Sequence, residues 1–412
     1  MPLFACRVSL RNYRSIAACR VRLQTLTLLV GPNGAGKSNF LDALRLVAES
    51  LRTSLEHALR DRGGINEVRR RSRGHPTHFG VRLDVFLRDE SSAFYAFEVG
   101  ALPRGAFRVH REECRILKPT SSRIETYFVV EDGVLKNSSV DMPSKVEPDR
   151  LFLTVVSALS EFRAVYDALS RMGFYNLNPE QIRELQEPDA GELLKRDGSN
   201  ISSVLHRLKV DDPIKMRRIE KYLAAVVPGI VSVEPKHFGP KETLEFRQQV
   251  LGDTNPWRFL ASNMSDGTLR VLGVLVAAFQ ASGDHHRSIP LVGIEEPELA
   301  VHPGAATALL DALMEASSQT QIILTTHSPD LLDAKNLLPE NVLAVTSRSG
   351  ETLIAPVDKA TRSSIADRLY TAGELLRLNQ IEPDEKVVSK IPEQFNLFEP
   401  SISYASPDNP NR

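Results

Sequence analysis

The sequence predicts an α/β fold in which parallel strands from both ends of the chain build one sheet, with antiparallel β and helical structure inserted between them. Three observations predict it. Thr25–Val30 (TLTLLV) is a continuous β-leaning run, as expected of a strand buried on both faces, and a glycine-rich loop and helical spacing follow at once. Two later apolar runs, Pro290–Ile294 and Gln321–Thr325, flank the helical stretch Ala305–Ala316, the alternation that favours parallel strands. Between these ends, from Phe79 to Val130, apolar and polar residues alternate (FGVRLDVFL, YAFEVGAL, IETYFVV), which favours antiparallel strands.

The remaining elements follow in order. Leu3–Leu10 and Ala18–Leu23 read as short strands around a turn-like Arg11–Ser15. Asn39–Leu51 has helical spacing, with Phe40, Leu44 and Val47 on one stripe and Leu41 and Ala48 beside it. Phe152–Leu208 reads as mainly helical, interrupted by the polar stretch Asn176–Gly198, and Tyr222–Phe246 as a helix followed by β structure. Thr268–Ala281 is a strongly apolar helix, Asn341–Val357 a hairpin and Ala360–Leu378 a single helix. Glu385–Arg412 is polar and rich in Pro, Ser and Asn, which predicts a disordered tail. These stretches divide the chain into 1–78, an inserted β and helical subdomain 79–260, a second α/β lobe 261–384 and the tail 385–412. There is no internal repeat and no sustained heptad pattern.

Composition sets limits. The 412 residues are 42% hydrophobic and 25% charged, ordinary for a globular protein with a substantial core. A formal net charge of −1 gives no global field toward nucleic acid or membrane, so such binding needs a local patch. Three cysteines, Cys6, Cys19 and Cys114, lack C-x-x-C spacing, which argues against a disulfide framework or a zinc site. No apolar run has the length of a membrane span, and Met1–Leu10 lacks the apolar centre of a signal peptide. A cytoplasmic protein without membrane contact is the expectation.

Gly31–Ser38 (GPNGAGKS) fits G-x-x-x-x-G-K-[ST], between a predicted strand and a predicted helix. Glycines let the backbone curl so that N–H groups of Asn33, Gly34, Ala35 and Gly36 point at phosphate oxygens, reinforced by the helix N-terminus at Lys37–Asn39. Lys37 would bridge the β- and γ-phosphates of ATP, and the Ser38 hydroxyl would ligate Mg²⁺. The plainer reading, a glycine turn before a helix, needs a chance match expected in roughly one chain in a hundred of this length.

Leu291–Pro297 (LVGIEEP) is a strand ending in two adjacent acids. Successive side chains of a strand point to opposite sides, so Glu295 is assigned to the metal and Glu296 to general-base activation of the attacking water, with Glu295 and Glu298 next in line for that role. A solvated acid pair leading into a helix is the alternative. His327, in TTHSP after the strand Ile322–Leu324, would hydrogen-bond the γ-phosphate, although a lone histidine there is also a common structural group. Ser265-Asp266-Gly267-Thr268 opens an apolar helix. Ser265 and Gly267 suit an ordinary N-cap, and equally a contact to the phosphate of ATP on a second subunit. Arg69, Arg70, Arg71 and Arg73 form the densest basic run, either a solvated surface or a contact to nucleic-acid phosphate.

In order, GPNGAGKSN, MSDGT, LVGIEEPE and TTHSP resemble the Walker A, signature, Walker B and switch-histidine motifs of ATP-binding-cassette ATPases. RNYRSI, LLVGPNGAGKSNFLDAL, EEPELAVHP and THSPDLL are more similar to the RecF/SMC-like branch, and within it to single-head ATPases related to the OLD family. DGSNISSVLHRL (Asp197–Leu208) and TAGELLRLNQIEPD (Thr371–Asp384) look like that group more weakly. The resemblance implies a P-loop NTPase with an ABC-ATPase-like head and an inserted antiparallel β and helical lid. It also implies ATP and Mg²⁺ as cofactors, a homodimer or higher oligomer closed by ATP, and Arg14 approaching the phosphates. DNA maintenance or phage defence through a separately encoded effector, such as a nuclease, is the implied role. A nucleotide-gated scaffold, a RecF-like repair ATPase and a transporter ATPase are the rivals, and the inserted lid argues against the last. Asp266, Thr268, Glu295 and His302 depart from the cassette pattern, which implies slow or regulated turnover. Asn66 and Glu67 are the polar residues offered for the Q-loop. About 225 residues separate Lys37 from Ser265, too few for a long coiled coil, and no acidic nuclease cluster follows His327.

Overall fold

The computed structural model describes residues 3–72, 76–118, 126–280, 288–334, 336–392 and 394–399. Sixteen strands form three sheets among them. The first joins β1 (Ala5–Tyr13), β2 (Ile16–Arg22), β4 (His78–Phe86), β5 (Ser92–Ala101), β6 (Phe107–Leu117), β7 (Thr126–Glu131) and β8 (Val134–Ser138) in the order β2-β1-β4-β5-β6-β7-β8, all antiparallel. The second has the order β16-β15-β3-β14-β13-β9, with β3 (Leu26–Val30), β9 (Gly173–Tyr175), β13 (Leu291–Glu295), β14 (Gln321–Thr326), β15 (Val342–Arg348) and β16 (Glu351–Pro356). Only the β15–β16 pair in it is antiparallel. The third is a small sheet of β10 (Ile230–Phe238), β11 (Lys241–Gln248) and β12 (Trp257–Leu260).

The period-2 geometry of the strands explains why the parallel sheet organises everything else. Leu28 and Val30, Val292 and Ile294, and Ile322 and Leu324 face one core cluster, with the helices Ile201–Asp211, Pro213–Val226, Asp266–Phe279 and Pro303–Ser317. Their neighbours Leu29, Leu291 and Ile323 face the other, with the helix Lys37–Arg52 and the inner face of the seven-stranded sheet. A strand buried on both faces reads as a largely apolar, β-leaning run, as these three do.

The structure changes several expectations. The boundary after residue 78 falls inside β4, and β4 pairs along β1, so the antiparallel sheet takes strands from both sides of that boundary. β9, an edge strand of only three residues, was hidden in a stretch read as helical. The single helix expected over 360–378 is two, Lys359–Ala366 and Ala372–Arg377. The chain turns through Arg368 at φ 56°, and Thr371 starts a new helix with a reciprocal capping box to Glu374. T-A-G-E is the sequence signature of that box. As a result Ile365 and Leu375 are buried while Leu369 and Leu378 face solvent.

The tail also departs from expectation. Beyond Glu385 the chain forms the short helix Glu385–Val388, and residues 394–399 lie as a strap over the outer face of the seven-stranded sheet. Arg11 donates to the Phe395 carbonyl at 3.0 Å, and Arg82 donates to the carbonyls of Leu397 and Glu399 at 2.8 and 2.6 Å. Arg20 and Arg111 each stand 4.6 Å from a strap ring, those of Phe395 and Phe398. Leu397 is wholly buried, over Gly80, where an added Cβ would come within 2.2 Å of it. Average polarity concealed three anchors, Phe395, Leu397 and Phe398; residues 400–412 lie outside the described set. Leu397→Ala is expected to lower the unfolding free energy by about 2–5 kcal/mol, the range for a buried leucine. Urea denaturation measures it, and an unchanged midpoint would mean that the strap is not anchored there.

Candidate nucleotide site

The glycine loop sits where β3 ends, beside β14, β15 and β16. Its form depends on close backbone approach. A Cβ at Gly31 would lie 2.0 Å from the Val345 carbonyl oxygen, and one at Gly36, with φ 102°, 2.0 Å from Thr352 Oγ1. A relay of hydroxyls fixes the loop: Asn39 Nδ2 donates to Ser15 Oγ at 2.7 Å, Ser15 Oγ and Thr352 Oγ1 are 2.7 Å apart, and Thr352 Oγ1 donates to the Ala35 carbonyl at 2.8 Å. Asn39 is thereby engaged by Ser15. Asn33, Gly34 and Ser38 are exposed at the loop's rim, and Ala35 is buried. Lys37 curls back to donate to the carbonyls of Gly31 and Pro32 at 2.7 and 3.0 Å. Burial lowers its pKa, against the opposing pull of Glu296 and Glu298.

A cleft beside the loop is lined by Arg14, Ser38, Asp42, Tyr175, Arg196 and Glu295, among others. Arg14 enters it from the β1–β2 turn, at φ 49°, and pairs with Asp42 at 2.9 Å. Asp42 also accepts from Arg45, Arg62 and the Tyr13 hydroxyl. Burial alone would raise the Asp42 carboxyl, but Arg62, Arg45 and Arg14 outweigh it and hold its pKa below the usual value. Sequence reading missed this hub because Asp42 lies on the apolar stripe side of its helix.

The two acids after β13 go to different neighbourhoods. Glu295 lines the cleft and pairs with Arg196 at 3.0 Å. Glu296, at φ 45°, turns its carboxylate to within 3.3 Å of His327 Nδ1, though without hydrogen-bond alignment. Arg270 holds the turn by donating to the carbonyls of Leu177 at 2.7 Å and of Glu295 and Glu296 at 3.1 Å each. A single arginine inside the apolar run LRVLGVLVAAF was the available signal. Glu298 is buried, accepts from Thr326 Oγ1 at 2.6 Å and keeps Oε2 without a hydrogen-bond partner among the described residues. Burial raises its pKa.

Ser265 caps the helix Asp266–Phe279, accepting from the Thr268 N–H at 3.2 Å, and Asp266 pairs with Arg183. Gly267 lies against the Ala300 carbonyl, 2.2 Å from where its Cβ would stand. Neither Ser265 nor Gly267 is on the cleft's lining. His302, at the place of a cassette D-loop acid, caps its own helix through Nδ1 and the Gly304 N–H. In the basic run, Arg70 is half-buried and pairs with Glu351 at 2.9 Å, Arg69 donates to Asn66 and to the Pro76 carbonyl, and Arg71 is exposed and pairs with Glu67. Arg73 lies outside the described residues. Asn66 and Glu67 are thus occupied by arginines and do not line the cleft. The strand beside the acid-bearing β13 is instead β9, which ends at Tyr175.

Among the described residues no group of three His, Cys, Asp or Glu could hold a metal alone. Magnesium seldom needs one, since it is bound by one or two protein oxygens together with substrate phosphates and water. Ser38 and Glu295 on one cleft fit that donor set.

Residues 26–333 match the family described as "AAA domain, putative AbiEii toxin, Type IV TA system". The chain belongs to that family. It is a P-loop ATPase of the RecF/SMC/OLD type with an ABC-type head. The Old nuclease of Escherichia phage P2 is 23% identical over 403 residues, 90% of this chain and 64% of that protein. The OLD nuclease of Thermus scotoductus (strain ATCC 700910 / SA-01) is 23% identical over 384 residues, 89% of this chain and 67% of that protein. The chain thus spans about two thirds of the length of these relatives. An Smc head domain from Pyrococcus furiosus, with an extended coiled coil and bound to the C-terminal domain of ScpA, shares the fold at a TM-score of 0.54 and 12% identity, over 90% of this chain and 100% of that one. An SmcHead bound to the C-winged helix domain of ScpA does so at 0.52 and 14%, over 87% and 99%. Among the described residues no helix is long and apolar enough to cross a membrane.

Proposed function

We propose that the chain binds ATP with Mg²⁺, hydrolyses it, and uses the cycle to join and release two copies of its head. One observation carries the reading: Lys37, Ser38, Glu295, Glu296 and His327 converge at the same ends of β3, β13 and β14. Lys37 would leave its two carbonyl partners for the β- and γ-phosphates. Ser38 and Glu295 would hold Mg²⁺, which screens phosphate charge when bound. Glu296 would take the proton of the attacking water, and His327, 3.3 Å from it, would hydrogen-bond the γ-phosphate.

Ser265 and Gly267 stand outside the cleft, which suits a role on the ATP of a second copy; the N-terminus of a 14-residue helix supplies inward-pointing N–H groups there. Glu296→Gln with ATP is therefore expected to sediment as a larger species than ATP-free protein. Mixing Lys37→Ala with Ser265→Arg subunits should recover at most one working site per dimer. Analytical ultracentrifugation and a turnover assay read both outcomes, and a monomer in every nucleotide state would count against composite sites.

The relatives' nuclease names support a DNA or defence setting, with an effector protein as the output. Arg70 is held by Glu351, whereas Arg71 is exposed, so a contact of this run to nucleic-acid phosphate would fall chiefly to Arg71. A second reading, a cytoplasmic nucleotide-gated scaffold that barely hydrolyses, draws on the pairing of Glu295 with Arg196 and of Asp266 with Arg183. Single-turnover hydrolysis of bound ATP separates the two.

A further inference from the structure

Arg196 is brought to the cleft by a loop built for the purpose. Asn176, just past the end of β9, donates its N–H to the Arg196 carbonyl at 3.0 Å, and Asn178 donates to Asp197 at 3.0 Å. Asn200, 2% exposed, ties the loop from within: its side chain accepts from the Lys195 N–H and donates to Asp189 and to the Leu193 carbonyl. The Arg196 backbone is therefore held beside β9, whose parallel partner β13 carries Glu295. Its guanidinium, by contrast, is about half exposed (48%) and, among the described residues, pairs with Glu295 at 3.0 Å. A fixed base with a movable charged tip is what a displaceable cation needs.

We propose that Arg196 is a placeholder cation: it neutralises Glu295 before Mg²⁺ arrives, and yields that carboxylate when metal-bound nucleotide enters. The inference rests on the nucleotide reading above. Glu295 and Ser38 share the cleft with Arg14 and Arg196. An unneutralised carboxylate there would repel the phosphates of ATP, and in a partly exposed site that repulsion is worth an appreciable factor in affinity. Arg196 and a metal would compete for the single negative charge of that carboxylate. The residue therefore favours binding of metal-free ATP and opposes binding of the metal complex, acting as a positioning residue for Glu295.

The test is ATP affinity, measured by calorimetric titration with Mg²⁺ and with EDTA, for wild type, Arg196→Ala, Arg196→Lys, Glu295→Gln and the double variant Arg196→Ala/Glu295→Gln. In EDTA, Arg196→Ala should weaken ATP by about tenfold, whereas with Mg²⁺ its affinity should equal or exceed wild type. Arg196→Lys should fall between wild type and alanine in EDTA. In the Glu295→Gln background the Arg196→Ala effect in EDTA should vanish, since no carboxylate charge remains to be neutralised. Equal weakening in both conditions would make Arg196 a plain phosphate contact and overturn the proposal, as would no change in either. A wild-type protein that binds no ATP in either condition overturns the nucleotide reading itself, a separate and recognisable failure.

Discussion

Lys37→Ala is expected to leave ATP hydrolysis undetectable and to weaken ATP binding by about 10- to 100-fold. A hydrogen bond to a charged group is worth about 1.5–3 kcal/mol, and 1.4 kcal/mol is a factor of ten. The site makes the direction of the effect clear. The ammonium is buried at the loop's mouth, with the Gly31 and Pro32 carbonyls as its hydrogen-bond partners. Two neutral dipoles satisfy its hydrogen-bonding need but leave it desolvated, and burial lowers its pKa accordingly. Anionic phosphate oxygens would relieve both conditions at once. Lys37→Arg should not rescue turnover, because a planar guanidinium cannot enter the tight curl held by Gly31 and Gly36. The measurement is equilibrium ATP titration beside a phosphate-release assay. Normal affinity in Lys37→Ala would move phosphate recognition away from this loop.

The parallel sheet was legible because its strands are buried on both faces, so β3, β13 and β14 each appear as a mostly apolar, β-leaning run followed by residues of obvious chemistry. The elements that shape the rest of the cleft gave weaker signals. β9 is three residues long, shorter than any window that separates strand from helix. Asp42 and Arg270 are charges on buried helix faces, and only the fold shows that each is surrounded by partners, three arginines for one and three carbonyls for the other. Four arginines in five residues suggest an open patch, yet Arg70 reaches Glu351, far along the chain, and local sequence cannot show such a partner. The strap was lost for a related reason: the carbonyls of Phe395 and Leu397 are held by arginines of β1 and β4, contacts made across the whole length of the chain.

Glu296→Gln is expected to retain ATP binding while reducing turnover by about 10²–10⁴-fold, the usual worth of a positioned general base. Glutamine keeps the size of the side chain and need not disturb the strained turn. Glu296 holds φ 45° because its N–H donates to the Thr325 carbonyl at 3.0 Å and Arg270 grips its own carbonyl. What the substitution removes is the proton acceptor beside His327. Rapid-quench single-turnover assays separate this loss from slow product release. Glu298 provides the internal comparison. It too lies near Lys37, but it is buried and its Oε1 is already engaged by Thr326, so its carboxylate is less open to a water than that of Glu296; burial raises its pKa. Glu298→Gln should therefore slow turnover far less than Glu296→Gln. If instead Glu296→Gln turns over near the wild-type rate and Glu298→Gln does not, the base is Glu298, and Glu296 serves only to place His327.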